Sequence, residues 1–94
     1  MIAVSRVRLR PGSWRDLSAG LLGYLAFVLD EAVEVDGITL RRTCDGSLVL
    51  SYPVRRDGRG DRHAILRPLN DEVRRTIEAE VLAQLGPWSD GGPQ

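Results

Sequence analysis

This chain has no lysine, and it is nearly without cysteine, histidine and phenylalanine. Its 94 residues include one cysteine, one histidine, one phenylalanine, two tryptophans and two tyrosines. A lone thiol, Cys44, excludes an intrachain disulfide, so nothing in the cysteine usage argues for an oxidising compartment. One cysteine and one histidine in separate segments cannot make a structural zinc ligand set, and no metal is expected. Cys44 falls in a turn pattern and reads as a free thiol rather than half of a Cys–His nucleophile pair. The apolar run Leu21 to Leu29 is far too short to cross a bilayer as a helix. Arg6, Arg8 and Arg10 interrupt the apolar residues near the start, so no secretion-signal pattern is present there. A soluble cytoplasmic protein is the expectation. No glycine-rich nucleotide loop and no catalytic constellation is found, so neither enzymatic activity nor a cofactor is indicated.

An excess of either charge is also missing. Thirteen arginines balance thirteen acidic residues, and the formal net charge is zero. The distribution is uneven. Residues 1–29 carry four arginines against one aspartate, and residues 30–40 carry four acids and no base. Residues 41–67 hold seven arginines and three aspartates, while residues 68–94 have a net charge of −3. Such segregation can build a basic face on a neutral protein. The absence of lysine reads most simply as a compositional bias of the source.

The length suits one domain with a modest single core, expected over residues 1–86, with 87–94 as a flexible tail. Val7 and Leu9 alternate with Arg6, Arg8 and Arg10, which predicts a half-buried strand with a basic outer row, ended by Pro11-Gly12. Trp14 to Gly20 reads as a loop or poorly defined segment. Leu21 to Leu29 is apolar on both parities. A short helix competes there, but Gly20 and Gly23 weaken it and Tyr24, Phe27 and Val28 favour a strand covered on both faces. Asp30-Glu31 predicts a turn, and the parity shift across Asp36-Gly37 predicts a bulge or bend. Asp45-Gly46 is a hairpin signal leading to a strand over Leu48 to Tyr52. A short last strand is expected at Ala64 to Leu66. Asn70 is a good N-cap, and Val73, Ile77, Val81, Leu82 and Leu85 make one apolar stripe up to Gly86-Pro87. The expected class is α+β: a mostly antiparallel sheet of four or five strands, then one C-terminal helix.

Between the last two expected strands lies Pro53-Val54-Arg55-Arg56-Asp57-Gly58-Arg59-Gly60-Asp61-Arg62. It reads as a flexible loop with four arginines and almost nothing apolar to bury. A guanidinium keeps its charge and presents a planar fork of donors that suits phosphate. Asp57 and Asp61 oppose this field and could pair with the arginines. No Phe or Trp lies in the loop, and Tyr52 is at its edge, so phosphate or groove contact is favoured over base stacking. A solvated hairpin tip is the plainer alternative. Arg59-Gly60-Asp61 spells an adhesion tripeptide, taken here as coincidence.

An ordered set of these pieces resembles the stage V sporulation protein G (SpoVG) septation-regulator family over about residues 2–85. The set comprises Val7-Arg8-Leu9-Arg10, Val28-Leu29-Asp30, the Asp45-Gly46 turn, the strand ending at Pro53, Arg55-Arg56, Asp57-Gly58, Pro68-Leu69-Asn70 and the helix from Arg74-Arg75 to Leu85. The resemblance implies a small bacterial cytoplasmic regulator, dimeric through its sheet, that binds DNA and in some cases RNA. It places the family's basic pair on Arg55 and Arg56. The basic residue opening the last strand falls on Arg62 or His63, and Arg67 stands where the family has a histidine. Arg55, Arg56, Arg59, Arg62, His63 and Arg67 are therefore the candidate nucleic-acid-binding residues. The alternative is a protein-interaction module of a division or septation assembly. It would use the two-sided apolar strand and an acidic helix face with Glu72, Glu78 and Glu80 exposed.

Overall fold

A computed structural model describes residues 2–86, together with the backbone of Trp88, Ser89, Gly92 and Pro93. The chain is α+β. Strands β1 (Val4–Pro11), β2 (Leu21–Leu29), β3 (Val33–Arg42) and β4 (Leu48–Ser51) form an antiparallel meander in that order. Helix α1 (Trp14–Ser18) joins β1 to β2. Strands β5 (Val54–Arg56) and β6 (Arg62–Ala64) form a separate two-stranded ribbon, and helix α2 (Asp71–Leu85) follows. Trp88–Ser89 (β7) pairs with Gly92–Pro93 (β8). The expected tail otherwise lies outside the described residues.

Four expectations need adjustment. Trp14 to Ser18 is a helical turn rather than a loop. The Ser13 hydroxyl accepts from the Asp16 amide at 3.2 Å, and the Asp16 carboxylate accepts from the Ser13 amide at 3.0 Å. This reciprocal capping box starts even a five-residue helix. The strand expected at Ala64 to Leu66 is Arg62–Ala64, so Ile65 and Leu66 lie beyond it. The arginine segment is not a flexible loop but an ordered ribbon. Glu78 and Glu80 are not free on the surface, as described below.

The expected turns and bulge match the structure, whereas β2 is fully covered only on its Leu25 and Phe27 face; on the other, Tyr24 and Val28 are half-buried. The three-residue turn after β2 places Asp30 and Glu31 at positive φ, and the Ala32 amide closes it on the Leu29 carbonyl at 2.9 Å. The β2–β3 register shifts between Leu25 and Phe27, where Asp36-Gly37 supplies the extra residue and Gly37 takes φ 73°. A second bulge at Arg6 shifts β1 against β2. Gly23 has no room for a side chain: a Cβ there would lie 2.7 Å from the Arg10 carbonyl oxygen.

The core lies between one sheet face and α2. Leu25, Phe27, Val35, Ile38 and Leu40 from the sheet meet Ile77 and Val81 from the helix. Asn70 caps α2 by accepting from the Val73 amide at 2.9 Å, and the Gly86 amide closes it on the Leu82 carbonyl. The stripe predicted from the four-residue spacing is the buried face.

The flanks of that stripe hold the sheet edges. On one flank the Glu80 carboxylate accepts from the Val4 amide of β1 at 2.8 Å, and the Gln84 amide donates to the Val4 carbonyl at 2.7 Å. On the other, the Glu78 carboxylate accepts from the Leu50 amide of β4 at 3.1 Å and from Arg74 at 3.1 Å. Side chains of the helix thus satisfy one strand residue at each sheet edge, Val4 on β1 and Leu50 on β4.

Two stability outcomes follow from these contacts. Glu80→Ala strands the Val4 amide and should cost about 2 kcal/mol in urea unfolding, while Glu80→Gln, which keeps an acceptor, recovers most of it. Gly23→Ala should cost about 1–3 kcal/mol because the backbone of β1 must retreat from the new Cβ.

Candidate nucleic-acid interface

The β5–β6 ribbon carries five of the six candidate residues. Val54 pairs with Ala64, Arg55 with His63, and Arg56 with Arg62. Directly opposed residues share a face. Arg56 and Arg62 therefore stand together on one face, and Arg55 and His63 on the other. Arg59 sits in the turn between the strands. Residues 58–65 are all exposed, and the ribbon is hydrogen-bonded to none of β1–β4.

Asp57 builds the turn. Its Oδ1 accepts from the Arg59 amide at 2.8 Å and the Asp61 amide at 3.0 Å, and its Oδ2 accepts from His63 Nε2 at 2.8 Å. The Asp57 amide donates to the Asp61 carbonyl, and the Gly60 amide donates back to the Asp57 carbonyl. Gly60 takes φ 84°, which its lack of a side chain permits. The His63 ring first, then the Arg59 amide, hold the Asp57 carboxyl below the usual aspartate range. A side chain spent on backbone donors and His63 is not spent on arginine. The expected Asp57–arginine pairing is absent among the described residues.

The arginines accordingly keep their donors. Arg56 donates to the Gly60 carbonyl at 3.2 Å, which ties its side chain along the turn. Among the described residues, Arg55, Arg59 and Arg62 make no ion pair. The strand arginines differ. Arg8 is paired with Glu34, Arg6 lies 4.0 Å from Glu31, and the Arg10 guanidinium stacks over the Tyr24 ring at 4.9 Å. The basic row of β1 is therefore a largely neutralised sheet face. Arg41 and Arg42 sit opposite Val49 and Leu48 at the start of β4, whereas the ribbon leaves from its end.

Arg67 is not part of the ribbon. It lies in the connector to α2 and lines an apolar cleft with Tyr52, Leu66 and Val73. Sequence reading also missed Trp14, which is 71% exposed on α1 with Arg15 over its ring. The signal for that surface was the Ser13-to-Asp16 capping spacing. Among the described residues, no helix is long and apolar enough to cross a membrane, which leaves β-barrel insertion unaddressed. No group of three or more potential metal ligands occurs among the described residues.

No family model and no curated protein matches this chain. The resemblance to the SpoVG family rests on the residues quoted for it.

The turn geometry makes an acid-sensitivity prediction. Asp57 is lowered in the folded ribbon, so its contribution is present above the ordinary value of 3.8 and is lost as pH falls through the lower folded value. Amide exchange at Arg59 and Asp61 should accelerate in that acid window while Leu25 and Leu40 remain protected. Asp57→Ala should produce the same local loosening at neutral pH.

Proposed function

We propose that this protein is a non-catalytic, cytoplasmic nucleic-acid-binding regulator that inserts the β5–β6 ribbon into the major groove of duplex DNA. The observation that carries the reading is three exposed arginines with no ion pair among the described residues on an ordered ribbon, with a fourth, Arg56, beside them. Two strands lie about 5 Å apart, and the B-form major groove, about 12 Å wide, admits such a ribbon. Arg56 and Arg62 on one face and Arg55 with His63 on the other would reach phosphates on the two walls, with Arg59 leading. An A-form duplex has a deep, narrow major groove that excludes this approach, so DNA is favoured over double-stranded RNA.

The SpoVG resemblance supports the same reading and adds a homodimer, which would present two ribbons and add their phosphate contacts. The competing interaction module loses support at α2. Glu78 and Glu80 bond to strand edges, which leaves Glu72 as the exposed member of the proposed acidic face.

The test is a salt titration of binding to mixed-sequence duplex DNA, with duplex and single-stranded RNA alongside. Affinity should fall steeply with salt. Arg55→Ala with Arg62→Ala should lower the slope by about one unit per lost phosphate contact and leave thermal unfolding unchanged. Unaltered affinity in that variant removes the ribbon from the mechanism. No binding at low salt to any of the polymers moves the reading to the protein-interaction module.

A further inference from the structure

Between α2, the end of β2 and the connector after β6 lies a cleft of about 230 Å³. Its floor includes the buried side chains of Phe27, Val35 and Ile77, and its walls include Leu66, Leu69 and Val73. The lining holds two non-apolar side chains, Tyr52 and Arg67. The Tyr52 hydroxyl is buried and has no hydrogen-bond partner among the described residues. Arg67 is exposed and makes no ion pair among the described residues. Leu69 at the lip is 82% exposed, so an apolar side chain stands in water beside an apolar depression.

We propose that this cleft binds a small monocarboxylic acid with a compact apolar body, the carboxylate held by Arg67 at the rim and the body seated on Phe27 and Ile77. The size is suitable: an apolar cavity of about 150 Å³ accepts a benzene ring. The polarity is directional. An unpaired guanidinium at the mouth selects an anion and rejects a cation. Burial first, then the nearby Glu78, pushes the Tyr52 phenol up to about 12 against the opposing effect of Arg74, so at neutral pH the hydroxyl keeps its proton. The cleft interior is apolar and its one charged lining group, Arg67, is exposed at the rim, so the carboxylate belongs at Arg67 and the apolar body inside, head out. Leu66, Arg67, Pro68 and Leu69 belong to the segment that carries the ribbon, so an occupant would bear directly on its anchorage. The proposal does not depend on DNA binding.

The test uses the full chain, isotope-labelled, titrated with hexanoate, 1-hexanol and hexylamine. Amide shifts at Leu66, Leu69 and Val73 should saturate, with hexanoate tightest and hexylamine weakest. Arg67→Ala, an exposed substitution that spares the core, should weaken hexanoate about tenfold or more and leave 1-hexanol unchanged, as expected for one lost charge-assisted bond. Four results would overturn the proposal. One is the absence of saturable shifts at the cleft. A second is hexanoate shifts confined to Arg55, Arg62 and His63. A third is equal weakening of acid and alcohol in Arg67→Ala. The last is cleft signals that change with protein concentration alone, which would show that a second copy covers the site.

Discussion

Helix α2 has to satisfy three surfaces of the sheet at once, and the arrangement of its side chains decides the fold. Successive residues turn by about 100°, so Glu78 and Glu80 project about 200° apart on opposite sides of the Ile77–Val81 stripe. One carboxylate therefore reaches β4 while the other reaches β1. Gln84, one turn beyond Glu80, completes the pairing of Val4, and Arg74, one turn before Glu78, balances the other carboxylate. Burial of the stripe supplies most of the attraction, because apolar area is where the free energy lies. The flanking bonds supply register: they allow the helix only one position along and across the sheet.

The ribbon after β4 does not join the sheet and makes its own ladder. Its composition suits that position. A stretch with so little apolar surface contributes little to a core, and one carboxylate holds its turn together beside the backbone ladder. Asp57 gathers two backbone amides and the His63 ring, which consumes the negative charge nearest to the arginines. The contrast with β1 is physical. There, Glu34 of β3 reaches across β2 to Arg8, Glu31 of the β2–β3 turn lies 4.0 Å from Arg6, and the Tyr24 ring lies under Arg10. On the ribbon the one such acid, Asp57, is bonded to His63 and the turn amides, and Arg55 and Arg62 make no ion pair among the described residues.

The connector between ribbon and helix ties the two regions. Leu66 and Leu69 line the cleft, and Asn70 begins α2. Arg67 lies four residues after His63 yet belongs to different surroundings, because the chain leaves the ribbon at Ala64 and turns under the sheet. Proximity in sequence suggested a single basic cluster of six residues. The tertiary path divides it into five on the ribbon and one at the cleft.

Much of the fold could be read from local pattern. Alternation identified β1, the two-parity apolar run identified β2, Asp36-Gly37 marked the bulge, and Asn70 with the four-residue spacing marked α2. These features depend on neighbours within one or two turns of chain, so the linear order already contains their cause. The capping box at Ser13 and Asp16 was equally local and was overlooked. By contrast, nothing local distinguishes a solvated glutamate from one bonded to a strand edge about thirty or more residues away, as Glu78 and Glu80 are. Nor does spacing show that Asp57 faces backbone rather than arginine, or that Arg67 parts from its neighbours. The sequence alone determined which residues are charged, which are apolar and where the chain turns. The tertiary structure decided which charges are cancelled, because that depends on which distant segments the packing of α2 brings together.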